Sequence, residues 1–192
     1  MGKMRRNTGE GWQSLNRNQS CCFTGHRPGK LPWGTDESDP RCLALKANLA
    51  LAVGEAYEKG YRHFMSGMAR GSDFYFCDAV LALKREKTDI LLEAAVPCEN
   101  QTNHWDRVDC DRYENLLSRC DLETQVQQHY DRGCMHRRNR YMVDRSGLII
   151  AVYDGMMGGT LYTLNYALKE GLDVVLLDAN EGRRICAAAP EK

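Results

Sequence analysis

Short apolar runs along this chain alternate with segments of helical periodicity. Five runs predict strands, at 21–24, 63–67, 90–97, 147–154 and 173–178. Most are apolar throughout rather than at every second position, which is typical of strands buried on both faces of a sheet. Apolar residues at helical spacing predict helices over 40–60, from Gly71 to the KREK run, around 113–117, and over 134–145 and 160–170. This alternation predicts an α/β fold with a mainly parallel sheet and helices on both faces, in a single domain.

The ends of the chain differ in composition from this core. Residues 1–20 are polar and show no periodicity, so they are predicted to form a flexible N-terminal tail. The domain is expected to span 21–180, followed by a C-terminal tail over 181–192. Within the domain, Ser38 or Asp39 before Pro40 is a typical helix start.

Composition narrows the class of protein. The 192 residues carry 26 Lys+Arg and 26 Asp+Glu, and this zero net charge disfavours a nucleic-acid partner. No apolar run approaches the roughly 20 residues of a membrane span, and the first 20 residues hold no hydrophobic leader core. We therefore expect a cytoplasmic protein with no membrane contact. The charge is unevenly distributed, because the acidic segment 99–123 is followed by the basic segment 132–146.

The nine cysteines do not indicate a disulfide framework, because their number is odd and no export signal is present. No pair has the C-x-x-C spacing of a structural zinc site, and no metal is expected. The alternative is a zinc cluster of Cys98, His104, Cys110 and Cys134, which the spacing does not favour.

Candidate chemistry lies in the loops that follow three strands. In an open α/β sheet, ligands bind beyond the carboxyl ends of the strands. Glycines there let a ligand approach the backbone N–H groups of a helix start. The candidate ligand-binding residues in these loops are Thr24, Gly25, His26, Arg27, Ser66, Gly67, Gly71, Ser72, Asp73, Asp154, Gly158, Gly159 and Thr160.

Each loop also has a purely structural interpretation, in which its glycines make a tight turn and Ser72, Asp73 or Thr160 caps a helix. Three such loops at one sheet edge favour a phosphate-bearing ligand instead. The loops match neither G-x-G-x-x-G nor G-x-x-x-x-G-K-[ST], which disfavours a standard dehydrogenase or ATPase.

Two more candidates lie in the Arg-rich segment. Arg138 and Asn139 interrupt a plain apolar pattern just before the strand at 147–154. Such a segment is usually a solvated helix face, but these side chains can also reach the phosphate or ribose part of a ligand.

Taken in order, the motifs FTGHRP (23–28), SGMARGSD (66–73), GCMHRRNRYMVDRS (133–146), LIIAVYDG (148–155) and GGT (158–160) resemble the YpsA-type branch of the SLOG superfamily. That superfamily also contains the LOG-type phosphoribohydrolases and the DNA-processing protein DprA. The resemblance covers roughly residues 21–178. It implies a Rossmann-like fold that binds a nucleotide or a nucleotide-derived ligand, with phosphate at the GGT loop. No other cofactor is identified.

One departure from the LOG pattern bears on activity. LOG enzymes carry P-G-G-x-G-T followed by a catalytic glutamate, whereas 157–165 here read MGGTLYTLN, without the proline, the third glycine or a carboxylate. The leading hypothesis is therefore that the protein binds or senses a nucleotide-like small molecule. The alternative is an N-glycosidic hydrolase in which Asp73 or Asp154 replaces that glutamate.

A third hypothesis, by analogy with DprA, is single-stranded DNA binding through the Arg-rich segment; the zero net charge and the lack of an aromatic stacking platform weaken it. The resemblance also raises a homo-oligomer as a possible assembly, although the sequence shows no interface.

Overall fold

The computed structural model describes residues 5–6 and 16–185. The strands are β1 (Arg5–Arg6), β2 (Ser20–Thr24), β3 (His63–Ser66), β4 (Leu91–Val96), β5 (Leu122–Gln125), β6 (Leu148–Tyr153), β7 (Asp173–Asp178) and β8 (Arg184–Ile185). The helices are α1 (Pro40–Glu58), α2 (Ser72–Lys84), α3 (Arg107–Ser118), α4 (Cys134–Asp144) and α5 (Gly159–Lys169).

The strands form one sheet in the order β1-β5-β4-β3-β2-β6-β7-β8. The six central strands are parallel, and the two-residue strands at the edges pair antiparallel. The strand order reverses between β2 and β6, and this switch is where ligands bind in open α/β sheets. The predicted α/β class with a mainly parallel sheet is confirmed.

The helices cover both faces of the sheet. Side chains of α1, α2 and α3, such as Leu49, Phe76 and Leu116, pack in the core on one face. Those of α4 and α5, such as Met142 and Leu164, pack on the other. Because both faces are covered, strands β2, β3 and β4 are buried along their whole length, as their continuous apolar runs predict.

Local signals set the ends of α1. Asp39 is its N-cap, with the side chain accepting a hydrogen bond from Arg41 N at 2.8 Å, and Pro40 occupies the first helical position. Gly60 follows the helix with φ +96°, a conformation that favours glycine. The predicted start at Asp39 and the predicted end at Gly60 are both confirmed.

The predicted tails include some ordered structure. Residues 1–4, 7–15 and 186–192 lie outside the described part of the chain. Within 1–20, Arg5–Arg6 pairs with β5, Arg17–Gln19 forms a 3-10 turn, and Ser20 already belongs to β2. Within 181–192, Arg184–Ile185 pairs with β7. The sheet therefore includes residues outside both predicted domain limits, 21 and 180.

Among residues 16–185, no helix is long and apolar enough to cross a membrane. No group of three or more His, Cys, Asp or Glu side chains in the same range is arranged to hold a metal ion. The alternative zinc cluster is therefore not assembled: Cys98, Cys110 and Cys134 are free thiols.

Candidate functional site

The three glycine-containing loops meet at one edge of the sheet, because they follow the neighbouring strands β3, β2 and β6. Between them and α4 lies a cavity of about 310 Å³. The predicted residues that line it are Thr24, Gly25, His26, Arg27, Asp73, Arg138, Asn139, Gly159 and Thr160. Residues distant in sequence thus form one concave site at the switch in strand order.

His26 joins the loops that follow β2 and β6. It is 4% exposed, and its Nε2 lies 2.9 Å from Asp154 Oδ1. Although burial opposes ionisation, the main-chain N–H of Met156 and nearby His26 lower the pKa of Asp154. The main-chain N of Asp154 also lies 3.2 Å from Nε2, and the Thr160 hydroxyl lies 3.4 Å from Nδ1. The ring therefore contacts both the loop after β6 and the start of α5.

The N-terminus of α5 faces the same cavity. Gly158 is the N-cap, and no side chain caps this helix, so Thr160 does not act as the cap considered from the sequence. Uncapped N–H groups and the helix dipole favour an anion at such a helix start. Lys30 lies beside it: its Nζ is 3.5 Å from Met157 O and 2.9 Å from where a Cβ on Gly158 would be.

Arg138 enters the cavity from the opposite side. It is only 5% exposed, and its guanidinium lies so close to Gly67 that a Cβ there would be 1.5 Å from Nη1. Within the described residues, Nε and Nη1 have no hydrogen-bond partner, and Nη2 reaches only Met135 Sδ at 3.8 Å. Burial lowers the pKa of this guanidinium, an effect that Asp73 partly opposes. A buried guanidinium with unused donors is costly without a ligand.

Asp73 is a carboxylic acid in the wall of the cavity, at the start of α2 and 5% exposed. Burial raises its pKa to about 6, although Arg138 acts in the opposite direction. Its Oδ2 accepts a hydrogen bond from Ala69 N at 3.3 Å. The N-cap of α2 is Gly71, with φ +83° and no side-chain cap, so neither Ser72 nor Asp73 has the capping role considered from the sequence.

The remaining candidates shape the loops without lining the cavity. Ser72 Oγ donates to His26 O at 2.9 Å, and Ser66 Oγ accepts from Met68 N at 3.1 Å. Gly67 makes room for Arg138, and Asp154 is paired with His26. Gly71 packs so closely that a Cβ would lie 2.8 Å from His26 O. The geometry therefore gives these residues a part in shaping the loops, through contacts other than the helix caps considered from the sequence.

Sequence reasoning missed several residues of the wall: Phe23, Gly29, Lys30, Ala69, Met135 and Met142. Lys30 had a usable signal, since it is a cation only three residues beyond Arg27 in a loop that was already a candidate. Asn139, which was predicted, lines the cavity but its amide donates to Thr163 Oγ1 at 2.8 Å. Asn139 therefore joins α4 to α5.

Comparison with known proteins shows which family this chain belongs to. The YpsA family model, described as the YspA SLOG family, matches residues 21–181. The uncharacterized SPbeta prophage-derived protein YoqJ of Bacillus subtilis is 31% identical over 144 residues, covering 68% of this chain and 84% of that protein. The UPF0398 protein OB1025 of Oceanobacillus iheyensis is 26% identical over 153 residues, covering 78% and 82%.

Among solved structures, DNA processing protein A (DprA) from Streptococcus pneumoniae matches with a TM-score of 0.59 and 16% identity over 85% of this chain. DprA from Helicobacter pylori, described with its single-stranded DNA binding mode, matches with the same values. The match spans 51% of the first DprA chain and 66% of the second, and it establishes a shared Rossmann-like fold. The family match and the order of the site motifs together place this chain in the YpsA-type SLOG family.

Proposed function

We propose that the protein binds a nucleotide or a nucleotide-derived phosphorylated ligand in the cavity at the carboxyl edge of the sheet. The observation that carries this proposal is the set of three cations in the cavity wall, Arg27, Lys30 and Arg138. Among residues 16–185, their side-chain hydrogen bonds reach only Met135 Sδ and Met157 O, and no carboxylate lies within 4.0 Å of them.

Phosphate is the ligand chemistry that such a wall fits best. Guanidinium and ammonium groups make their strongest hydrogen bonds to anionic oxygens, and the uncapped start of α5 adds N–H donors aimed at the same space. Thr24, Asn139 and Thr160 supply polar groups for a sugar or a base. A volume of about 310 Å³ is at the lower end of the range for small-molecule sites, which suits a ligand of about one nucleotide.

Single-stranded DNA, the ligand of the H. pylori relative in fold, is supported less well. Most arginines of the basic segment on which that hypothesis rests are either buried or already in contact with another side chain. Arg138 is buried, Arg137 pairs with Asp131, and Arg145 lies over the ring of Tyr141 at 4.0 Å. Little free positive charge is left on this helix to follow a nucleic-acid backbone.

Titration calorimetry tests the proposal with a panel of nucleoside monophosphates, ADP, NAD, ADP-ribose and a single-stranded oligonucleotide. We expect micromolar binding of at least one small ligand, weakened about tenfold or more by Lys30→Gln, since a charge-assisted hydrogen bond contributes about 1.5–3 kcal/mol. Lys59→Gln, on an exposed lysine at the end of α1, is the matched control and should bind as the wild type does.

Two results would count against this function. If no ligand of the panel binds, the proposed function is wrong. If the oligonucleotide alone binds, DNA is the favoured ligand instead. Assaying the same mixtures for free base tests the hydrolytic alternative, in which Asp73 is the acid that contacts the ligand because Asp154 is held by His26. Base release that Asp73→Asn abolishes would turn the binding site into an active site.

A further inference from the structure

The carboxyl group of Asp73 lies among the cations of the cavity, and its position suggests more than a structural role. Arg138 from α4 and Arg27 after β2 are the charged groups that act on it most strongly. From its own helix, the Cys77 thiol lies one turn further on, and from the loop after β3 the Ala69 N–H donates to it. Within the described residues, neither arginine comes within 4.0 Å of the carboxylate, so Asp73 offsets positive charge without closing a salt bridge.

The cavity has a cation at each of its two ends. At one end, Lys30 lies beside Gly158 at the start of α5, after β6. At the other end, Arg138 lies against Gly67, after β3. Strand β2 lies between β3 and β6, so the strands that lead into these two loops are about two strand spacings, or roughly 10 Å, apart. We therefore assign the group bound beside Gly158 and the group bound beside Gly67 to separate parts of the ligand.

We propose that Asp73 is the specificity-determining residue of this site. When ionised, it neutralises Arg138 and restricts the group bound there to a neutral, hydrogen-bonding part of the ligand. When protonated, it allows Arg138 to bind a second anionic group. This inference rests on the proposed function and adds the class of ligand: one phosphate at the α5 end, with an uncharged sugar or base at the Arg138 end near neutral pH.

The physical basis is charge repulsion in a dry environment. A second phosphate next to an ionised Asp73 places two anions together where little water can screen them. Protonation removes that repulsion and leaves Arg138 without charge compensation from the cavity wall. Burial raises the pKa of Asp73 to about 6, so both forms are accessible between pH 5 and pH 8.

The test compares two probes by calorimetry from pH 5.5 to pH 8: the best-binding nucleoside monophosphate of the panel and the corresponding 3′,5′-bisphosphate. In the wild type, the affinity of the bisphosphate relative to the monophosphate should rise about tenfold on acidification. In Asp73→Asn this ratio should already be high at pH 8. The phosphates of the probes themselves titrate near pH 6. This titration affects the affinities of both proteins equally. Dividing the wild-type ratio by the Asp73→Asn ratio at each pH therefore leaves the contribution of Asp73 alone.

Arg138→Gln is the second variant, and it keeps the test decisive if Asp73→Asn does not fold. Its acid-induced gain for the bisphosphate should be clearly smaller than that of the wild type, because the cation that protonation releases is absent. The inference is overturned if the wild-type ratio is flat with pH, if it equals that of Asp73→Asn throughout, or if the gain in Arg138→Gln is as large as in the wild type. Failure of the proposed function looks different, since then no phosphate in the panel binds at any pH.

Discussion

Replacing Asp73 by Asn should stabilise the unligated protein, although it removes a group from the candidate site. Burial raises the pKa of Asp73 from an ordinary 3.8 to about 6. One pKa unit corresponds to about 1.4 kcal/mol, so keeping this carboxylate ionised in the native state costs about 3 kcal/mol of stability. The Asn side chain has the same shape and no charge to bury, and its amide oxygen can still accept the hydrogen bond from Ala69 N.

The pH dependence gives the prediction its sign. An acid whose native pKa is raised binds more protons in the native state than in the unfolded state between the two pKa values. Stability therefore falls as the pH rises from about 4 to about 6, and the cost is fully present above that range. Asp73→Asn should exceed the wild type by roughly 1.5–3 kcal/mol at pH 8, the lower value applying if the Ala69 hydrogen bond is lost. At pH 4 the two proteins should differ little.

Urea unfolding at pH 4, 5, 6, 7 and 8 measures this difference, with the denaturant slope checked for each protein. Asp78→Asn is the matched control, because Asp78 lies on the same helix, is 48% exposed and pairs with Arg112. That variant should lose no more than about 1 kcal/mol, the usual contribution of an exposed ion pair. A variant Asp73→Asn that is less stable than the wild type at pH 8, or whose gain is the same at every pH, would refute the reasoning.

Three further predictions concern the contact between Gly67 and Arg138 and the buried cluster around Glu93. Gly67→Ala should displace the Arg138 guanidinium, because its Cβ would lie 1.5 Å from Nη1; calorimetry should show weakened ligand binding and no further loss when Arg138→Gln is added. Tyr141→Phe removes a 2.7 Å hydrogen bond to buried Glu93 and should cost about 1–3 kcal/mol in urea unfolding, while a cost near zero would contradict this. Although burial opposes it, the hydrogen bond from His63 lowers the pKa of Glu93, so the wild type should lose stability as the pH falls below about 4.5; Glu93→Gln should lack that part of the acid profile.

The sequence predicts the central strands of the sheet better than it predicts the strands near its two ends. The central strands except β5 contain apolar runs, and the burial of β2, β3, β4 and β6 on both faces leaves few alternatives to a strand. β5 was missed because its four residues, LETQ, are half-buried and polar. β1 and β8 have two residues each, and pairing with β5 and β7, rather than any local pattern, defines them.

The candidate site is predictable in position but not in detail. Glycine-containing loops after successive parallel strands must meet at one edge, so their convergence follows from the fold class. The sequence does not reveal that Asp154 pairs with His26 rather than facing the cavity, because that contact joins loops 128 residues apart. Nor does it reveal Lys30 beside α5, which depends on the path of the loop between β2 and α1.

Two clusters of buried charged side chains in this fold differ in how fully other protein groups satisfy their hydrogen bonds. Glu93 is 2% exposed, yet His63 and Tyr141 supply hydrogen bonds to both of its oxygens, at 2.8 Å and 2.7 Å. Arg138 is 5% exposed and has two nitrogens without partners within the described residues, while Asp73 nearby has no ion pair. The energetic cost of burial is met by protein groups in the first cluster and left unmet in the second. Because a folded chain keeps such a cost only where something else offsets it, the unmet cost supports the proposal that a ligand binds at the second cluster.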